Sequence, residues 1–527
     1  MPTLVRSSRP LALHDSAATR RIEQATANAL PPHALMQRAG LATARLALAL
    51  APHARRVWVA AGPGNNGGDG LEAAMHLQTW GLSPVVTWLG TPDKAPPDAR
   101  ASWQRAVQAG VPFADHPPSD LGPQDLAIDA LLGIGAARPP AGRMAEWLAL
   151  MQAGAAPILA VDVPTGLDAD SGWLQASNTI DSIASRADSM RASGPFDLKP
   201  PPPRRHTLSL LTLKPGLFTA HGRDACGQIW LDDLGVPPAL LEAESPTAWL
   251  NAAPARAPRP HASHKGSFGD VAVVGGEALA ARGMGMTGAA LLAASAALHG
   301  GAGRVLLSLL DAGETHTASQ PELMLRRFDR LELPALTVVC GCGGGDAVAA
   351  VLPAVLHGAA RLVLDADALN VIAADPALQA ALRQRAGTGQ ATVLTPHPLE
   401  AARLLGATSA QVQQGRLRAA AELAQRFACT VVLKGSGTVI ATPGQVPRIN
   451  PTGNARLATA GTGDVLAGLL GARLAAGQAA PQAASAAVYL HGWTADQWPA
   501  GSTLTAGALA QCAGAALPPT ATPIEAS

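Results

Sequence analysis

The sequence predicts an α/β protein of two domains, each built on a parallel sheet with helices on both faces. Short apolar runs alternate with helix-like segments, and this alternation occurs twice along the chain. Glycine-rich polar clusters follow several of the apolar runs, and the length of 527 residues suits two domains. Parallel strands need long crossover connections and bury both sheet faces, so we expect a three-layer α/β/α arrangement in the first half and a second α/β domain after it.

Composition narrows the possible functions. The chain is 48% hydrophobic and 15% charged, which is typical of globular domains. A net charge of +1 and only 3% aromatic residues disfavour nucleic-acid binding. No apolar run reaches the roughly 18 residues of a spanning helix, and the five cysteines lack the paired spacing of a zinc site. We expect a cytoplasmic protein with reduced thiols that binds neither nucleic acid nor membrane.

The first domain is expected to span residues 1–236. Apolar residues three and four apart predict helix from Leu11 to Leu50, with a break at Pro31-Pro32. Strands are predicted at Val57–Ala61, Pro84–Leu89, Asp125–Leu132 and Ile158–Val163. Helices are predicted between them at Leu71–Trp80, Ala99–Ala109 and Ala145–Ala153. Ligands of such sheets bind at the carboxyl ends of the strands.

Two segments depart from this alternation. Residues 177–206 mix Ser, Asp and Arg and then run into four consecutive prolines, which predicts an exposed insertion. Residues 237–260 are rich in Ala, Pro and Arg, which predicts a linker to a second domain at 261–527.

The second domain repeats the pattern. It begins with a strand over 269–275 and a small-residue helix over Gly285–Gly300. Further strands are predicted at Arg304–Leu309, Leu336–Cys340, Arg361–Leu364, Thr392–Leu394 and Thr430–Leu433. A parallel sheet covered on both faces is again expected.

A glycine turn before the apolar run that starts at Val465 is the most informative motif. It reads Gly461-Thr-Gly-Asp464. A helix that begins there would expose backbone N–H groups, which together with the helix dipole attract anions. An aspartate at that position repels phosphate unless it moves a proton or binds through a metal. The motif therefore favours phosphoryl or nucleotide chemistry, and the alternative is a simple N-cap.

A second polar cluster follows the first predicted strand. Gly62–Gly70 has the glycines of a backbone nest, in which positive φ angles let amides converge on an anion. Acids recur at two later strand ends, Asp129 and Asp162, and the Thr165 hydroxyl lies close by in sequence. Such oxygen atoms could hold a hard cation. The alternative is that Asn and Asp only satisfy tight turns.

These residues resemble the epimerase half of bifunctional NAD(P)H-hydrate repair enzymes, a Rossmann-like domain. The matching motifs are Asn65–Gly70, Asp129–Gly135, Val161–Asp168 and Lys214–Thr219. The resemblance implies interconversion of the R and S epimers of hydrated NADH and NADPH, with Asp162 as the acid/base group. It also implies a potassium ion on Asn66, Asp129 and Thr165. The implied substrate contacts are Asn65, Asn66, Gly67, Gly68, Asp69, Gly133, Ile134, Gly135, Ala136, Ala137, Arg138 and Asp162.

The second half resembles the ADP-dependent dehydratase half of the same enzymes, a ribokinase-like α/β domain. The matching motifs are His264–Asp270, Leu364–Asn370, Leu394–Glu400 and Val432–Thr438. The resemblance implies that ADP or ATP, with Mg²⁺, activates the S epimer for dehydration and that Asp464 is the base. The implied nucleotide contacts are Lys434, Gly435, Ser436, Gly437, Thr438 and Gly463, and the implied hydrate contacts are Gly343, Gly345, His397 and Asp464.

One turn departs from the family's Gly-Pro-Gly-Leu-Gly pattern and reads Gly341-Cys-Gly-Gly-Gly345. Without the proline we expect a looser loop, and Cys342 is expected to make it sensitive to oxidation. Two other hypotheses stay open: a ribokinase-like vitamin or sugar kinase, and an N-terminal half that binds nucleotides without catalysis. The small-molecule substrates and a homo-oligomer are the expected partners.

Overall fold

The computed structural model describes residues 1–135, 139–174, 205–255, 260–279, 283–310 and 320–515. The chain divides into two compact units. The N-terminal unit comprises Met1–Arg6 and Ala12–Ala248, and the C-terminal unit comprises Ser7–Leu11 and Trp249–Ser527. Each unit is an α/β structure around a largely parallel sheet, which confirms the predicted fold class.

The sheet of the N-terminal unit has seven strands in the order β1-β8-β7-β6-β5-β3-β4. All neighbours are parallel except β1 and β8. The strands are β1 (Thr3–Leu4), β3 (Val57–Ala61), β4 (Pro84–Trp88), β5 (Leu126–Ala130), β6 (Ile158–Val161), β7 (Arg205–Leu210) and β8 (Gln228–Asp232). A short strand β2 (Leu11–Leu13) precedes the first helix.

Helices cover both faces of this sheet because its strands are apolar on both sides. Val57, Val59 and Ala61 of β3 pack into a core with the helices α2 and α3, while Trp58 and Ala60 pack against α5. The helices of the unit are α1 (Ser16–Asn28), α2 (Ala34–Leu50), α3 (Asn65–Thr79), α4 (Pro97–Gln108), α5 (Arg143–Ala153), α6 (Gly222–Cys226) and α7 (Pro238–Glu242). The three layers follow from the two-residue period of the strands.

The glycine cluster after β3 is helical, which corrects the predicted nest. Helix α3 begins at Asn65 and not at Leu71, and no residue from 62 to 70 has a positive φ. The glycines are required for close approach instead. A Cβ on Gly67 would collide with the carbonyl oxygen of Gly62, and one on Gly62 would collide with that of Leu131. The helix start is thereby packed directly against the ends of β3 and β5.

In the C-terminal unit, ten strands of one sheet follow the order β12-β11-β10-β13-β14-β15-β16-β17-β18-β9. The pairs that involve β17 are antiparallel and the others are parallel. The strands are β9 (Ala248–Leu250), β10 (Asp270–Glu277), β11 (Arg304–Leu310), β12 (Met324–Leu325), β13 (Thr337–Cys340), β14 (Arg361–Leu364), β15 (Ala391–Leu394), β16 (Thr430–Leu433), β17 (Val439–Ala441) and β18 (Arg448–Ile449).

Two apolar cores flank this second sheet. Val271 and Val273 of β10 face one core, and Ala272 and Val274 face the other. The helices are α8 (Thr287–His299), α9 (Val348–Gly358), α10 (Asp367–Ala374), α11 (Pro376–Gly387), α12 (Pro398–Leu405), α13 (Ser409–Gln414), α14 (Arg416–Phe427), α15 (Thr462–Ala475), α16 (Ala480–Asp496) and α17 (Ala506–Cys512). The central strands β13 to β16 end at one edge, where the predicted second site lies.

Three sequence predictions need adjustment. The stretch expected as a linker over 237–260 contains helix α7 at its start and strand β9 farther along. The last two residues of the expected insertion, Arg205 and His206, belong to β7, and positions 177–204 lie outside the described residues. The helical stretch predicted from Leu11 starts instead at Ser16 and breaks after Asn28. None of the described helices has the length and apolar character needed to cross a bilayer.

Candidate active sites

A cavity of about 590 Å³ opens in the N-terminal unit at the carboxyl ends of the sheet strands. The structure brings seven predicted substrate contacts to its wall, namely Asn65, Asn66, Asp69, Gly133, Ile134, Gly135 and Asp162. Gly67 and Gly68 lie buried within α3 and do not line the cavity, because they pack against neighbouring backbone and side chains. Positions 136–138, also predicted as contacts, are outside the described residues.

Asp162 stands at the end of β6 in an unusual backbone conformation. Its φ is 68°, a region that costs a non-glycine residue on the order of 1 kcal/mol or more. Its carboxylate forms an ion pair with the fully buried Lys214. The lysine also donates to the Leu210 carbonyl oxygen at 2.8 Å and to Ser209 Oγ at 3.3 Å. The strained residue and its partner are thus held rigidly at the cavity wall.

Two further acids of the cavity have shifted pKa values. Burial raises the pKa of Asp69 well above its usual range, and the carboxylate of Asp162 raises it further. Burial also raises the pKa of Glu23, with Asp162 again as the next cause. Carboxyl groups that crowd one cavity while only one has a buried cation are suited to proton transfer.

The predicted potassium ligands Asp129 and Thr165 meet beneath the strand ends. Thr165 Oγ1 donates to Asp129 Oδ1 at 2.6 Å, and the Thr165 amide donates to Asp129 Oδ2 at 3.0 Å. Burial raises the pKa of Asp129. The side-chain nitrogen of Asn66 is buried and has no hydrogen-bond partner among the described residues. The Asp129 carboxylate and the Thr165 hydroxyl are hard oxygen groups of the kind that bind a monovalent cation, and Asn66 could add its side-chain carbonyl oxygen but not the nitrogen.

In the C-terminal unit, Asp464 lies in the first turn of α15. The helix has Gly461 as its N-cap, with φ 90°, and no side chain caps it, so Asp464 is not the N-cap that the alternative hypothesis supposed. Burial raises the pKa of Asp464 to about 6, and the Asp365 carboxylate contributes in the same direction. A carboxyl group with this pKa can serve as a base near neutral pH.

Lys434 follows the end of β16, and its ammonium group lies among the acids that surround Asp464. Its Nζ lies 2.6 Å from Asp365 Oδ1 and 3.9 Å from Glu400 Oε2. Burial alone would lower the pKa of Lys434, but these two carboxylates raise it overall. A Cβ built on Gly463 would lie 3.4 Å from Nζ, so the ammonium group sits beside the start of α15. Burial raises the pKa of Glu400 to about 7.

The glycine turn after β13 places Cys342 against the proposed base. One ligand atom each of Cys342, Asp365 and Asp464 lies within 4.8 Å of the others. Cys342 is fully buried, and burial raises its thiol pKa well above the usual range. The expected sensitivity to oxidation is therefore wrong for the folded protein, because oxidation requires an accessible thiolate.

The two predicted hydrate contacts in that turn adopt backbone conformations that favour glycine. Gly343 has φ 57° and Gly345 has φ 55°. The Gly345 amide donates to Asp367 Oδ2 at 2.9 Å, which links the turn to the start of α10. A Cβ on Gly343 would lie 2.5 Å from the Met286 carbonyl oxygen. Only glycine fits at this position, so the loop is held in place despite the missing proline.

The imidazole ring of His397 is held in place by hydrogen bonds at the start of α12. It is the N-cap of α12, and its Nδ1 accepts the amides of Leu399 at 3.1 Å and Glu400 at 3.3 Å. Its Nε2 lies 3.3 Å from Glu400 Oε1. Burial lowers the pKa of His397. The ring is positioned by the helix start, and any contact with a ligand is left to its Nε2 edge.

The remaining predicted nucleotide contacts form the turn between β16 and β17. Gly435 and Gly437 have φ 128° and 61°, and Thr438 Oγ1 donates to the Gly435 carbonyl oxygen at 3.0 Å. Gly435 and Ser436 are exposed. The turn therefore begins at Lys434, and the exposed backbone of Gly435 and Ser436 follows directly after the lysine that contacts Asp365.

Sequence reasoning did not assign a role to two residues of these sites, namely Lys214 and Glu23. Lys214 lies in a quoted motif, and a lone lysine in a buried apolar stretch is a signal for a paired charge. Glu23 is one of several helix acids, and no local pattern distinguishes it.

Two family models match the chain. Residues 32–190 match the model described as YjeF-related protein N-terminus, and residues 273–518 match the one described as NAD(P)H-hydrate dehydratase. A bifunctional NAD(P)H-hydrate repair enzyme from Coxiella burnetii is 32% identical over 499 residues, which are 92% of this chain and 94% of that protein. The chain belongs to the bifunctional NAD(P)H-hydrate repair enzymes.

Two further proteins each match about half of the chain. The ADP-dependent (S)-NAD(P)H-hydrate dehydratase of Neisseria meningitidis is 44% identical over 256 residues, which are 47% of this repair enzyme and 83% of the Neisseria protein. A solved structure of the ADP/ATP-dependent NAD(P)H-hydrate dehydratase from Bacillus subtilis, co-crystallised with ATP and Mg²⁺, is 30% identical with a TM-score of 0.39. It covers 48% of the repair enzyme and 90% of the Bacillus chain.

Proposed function

We propose that this repair enzyme restores hydrated NADH and NADPH in two steps. The N-terminal unit interconverts the R and S epimers of the hydrates, and the C-terminal unit dehydrates the S epimer at the expense of ADP or ATP. With ADP the products are NADH or NADPH, AMP and phosphate. The observation that carries the proposal is the similarity to a bifunctional enzyme over 94% of that enzyme's length. Further support comes from the carboxyl groups that lie together in each unit, Asp69 and Asp162 in the first and Asp365 and Asp464 in the second.

In the N-terminal unit, Asp162 is proposed as the acid/base group that moves protons at the hydroxyl-bearing carbon. Lys214 is proposed as its positioning residue, since its ammonium group contacts Asp162 and two other acceptors while fully buried. Asn65, Asn66 and the loop at Gly133 would hold the hydrated ring in the cavity. A positioned acid/base group typically contributes a factor of roughly 10²–10⁴ in rate.

A potassium ion is proposed at Asn66, Asp129 and Thr165. When bound, it would supply positive charge beneath the strand ends and hold the loops that carry the substrate contacts. Thr165 and the Asp129 carboxylate are already oriented toward each other, so they would need little rearrangement to share a cation.

In the C-terminal unit, Asp464 is proposed as the base that takes the proton from the substrate hydroxyl. The oxygen would then form a bond to the terminal phosphorus of the nucleotide, whose bond to the leaving oxygen breaks. Departure of phosphate with the C–O electron pair, and loss of a proton from the adjacent ring carbon, would leave the double bond of NADH or NADPH. Amides at the start of α15 can stabilise the charge on the transferred group.

The nucleotide is proposed to lie along Lys434–Thr438 and Gly463, with Mg²⁺ as its counterion. Asp365, Asp367 and Glu400 are the acids that could orient that ion through water. Because Lys434 is paired with Asp365, its contact with a phosphate would exchange a carboxylate partner for an anionic ligand. The Lys434 ammonium group would have a negatively charged partner with and without the nucleotide. The net gain from binding the phosphate would therefore be small, which allows product release.

The test is to supply the full chain with mixed hydrate epimers, with and without ADP, and to follow the near-ultraviolet absorbance of NADH. Complete recovery requires both units, while recovery that stops at the S fraction means that only dehydration occurs. A stable phosphorylated product without NADH would instead favour the kinase hypothesis. A homo-oligomer is also proposed, and light scattering on the purified chain tests it.

A further inference from the structure

A second carboxyl group in the N-terminal cavity is not used by the proposed role of Asp162. Asp69 lies in the second turn of α3 and lines the same cavity as Asp162. Its carboxyl group has no hydrogen-bond or ion-pair partner among the residues the structure describes, whereas Asp162 is paired with Lys214. Two carboxyl groups therefore line the same cavity, and only one of them, that of Asp162, is paired with a cation.

The charges around Asp69 are mostly negative. The groups that act on it come from α1, α3, α4 and the end of β6, namely Glu23, Glu72, Asp98 and Asp162. Nearby cations are already engaged: Arg105 pairs with Glu72 at 2.6 Å, and His33 contacts Asp98. Arg20 acts on Glu23. Together with burial, this surrounding raises the pKa of Asp69 and favours its protonated form.

We propose that Asp69 is the general acid of the epimerisation and that Asp162, held by Lys214, is the general base. This assignment rests on the epimerase function proposed above. It differs from a role in substrate binding alone, because it requires Asp69 to carry a proton when the substrate binds.

The step balances without an oxidant or reductant. The C–O bond at the hydroxyl-bearing ring carbon breaks, and its electron pair leaves on the oxygen, which takes the Asp69 proton and departs as water. The lone pair of the ring nitrogen stabilises the resulting cation. Water then adds to the opposite face, forms the new C–O bond and gives its extra proton to Asp162. Proton exchange with solvent returns both carboxyl groups to their starting states.

The experiment uses full-length Asp69→Asn, Asp69→Glu and Asp162→Asn variants, with R-to-S exchange followed by chromatography across acidic and alkaline pH. Wild-type exchange is expected to fall at alkaline pH as Asp69 loses its proton. Asp69→Asn should lower kcat by roughly 10²–10⁴-fold with little change in KM, and the alkaline fall should disappear. Asp69→Glu should recover part of the rate. Asp93→Asn, an exposed acid outside the cavity, is the matched control.

Dehydration of pure S epimer by the same preparations checks that the C-terminal unit is intact, and the Tm of each variant checks the fold of the N-terminal unit that carries the substitution. Wild-type protein that exchanges no epimers would overturn the proposed function itself. Active wild-type protein together with an Asp69→Asn variant that shows only a higher KM, with the alkaline fall intact, would overturn the assignment of Asp69 as the acid and leave the epimerase function standing.

Discussion

The ammonium nitrogen of Lys434 lies 2.6 Å from Oδ1 of Asp365, so the ends of β16 and β14 are joined by an ion pair. This pair lies beside the start of α15, where Asp464 is proposed to act as a base. The lysine lowers the pKa of Asp464, while Asp365 raises it. The protonation of the base therefore depends on two residues that are distant from it in sequence.

Replacing Lys434 should impair dehydration because it raises the pKa of the neighbouring Asp464. In Lys434→Met, loss of the cation raises the pKa of Asp464 above about 6, so less of the base is ionised at neutral pH. We expect NADH recovery from the S epimer to slow by roughly 10²-fold, in the range typical for one acid/base group. Lys94→Met, at an exposed lysine, is the control. A dehydration rate and pH profile equal to wild type would contradict the role of Lys434.

The pH dependence of dehydration should follow the ionisation of Asp464. A base with a pKa of about 6 is active when deprotonated, so the rate should fall as pH drops through about 6 and level off above it. Asp464→Asn should lower kcat by about 10²–10⁴-fold and remove that acidic fall. The measurement is NADH recovery from S epimer and ADP across pH. Epimer exchange by the same variant should be unchanged, and full-rate dehydration would contradict the mechanism.

The same substitution should stabilise the protein above the titration range. Because the folded pKa of Asp464 is raised to about 6 from 3.8, its charged form is disfavoured in the folded state. Its favourable contribution to folding is present below the unfolded pKa and is lost as pH rises through the folded pKa. Thermal unfolding should therefore give Asp464→Asn a higher Tm than wild type at pH above about 6, and the difference should shrink in acid. A Tm difference between variant and wild type that grows in acid would contradict this prediction.

Removing one hydroxyl should test the potassium site. Thr165→Val keeps the size of the side chain but deletes the Oγ1 that donates to Asp129 at 2.6 Å. We expect epimer exchange to lose its dependence on K⁺ and to fall at least about tenfold, whereas dehydration should be unaffected. Thr165→Ser keeps the hydroxyl and is the matched control. Exchange rates in Na⁺ and K⁺ buffers that are equal for the wild type would argue against a potassium site.

The glycine turn after β13 should not tolerate a side chain. At Gly343, an added Cβ meets the Met286 carbonyl oxygen and the φ of 57° is strained for alanine, so Gly343→Ala should cost on the order of 1–3 kcal/mol. Gly288→Ala, in α8 where an added Cβ meets nothing within 4 Å, is the control and should be neutral or slightly stabilising. Tm and the KM for S epimer are the measurements. Equal KM and Tm in both variants would contradict a tight turn beside the substrate.

Local patterns were sufficient for most of the architecture. The central strands predicted at Val57–Ala61 and Thr430–Leu433 appear with those bounds, because a buried parallel strand needs a short continuous apolar run. The glycine motif at residues 62–70 misled the prediction, because glycine signals both positive φ and close backbone approach. Only the neighbouring carbonyl oxygens of Gly62 and Leu131 distinguish the two uses.

By itself the sequence determined the fold class and the positions that bear acids, since hydrophobic periodicity and strand-end motifs are local properties of the chain. The tertiary structure decided which charges meet. Asp162 meets Lys214 across 52 positions, and Asp365 meets Lys434 across 69. Burial and the sign of the nearest charge set a carboxyl group's proton affinity, and both depend on long-range packing that no local pattern encodes.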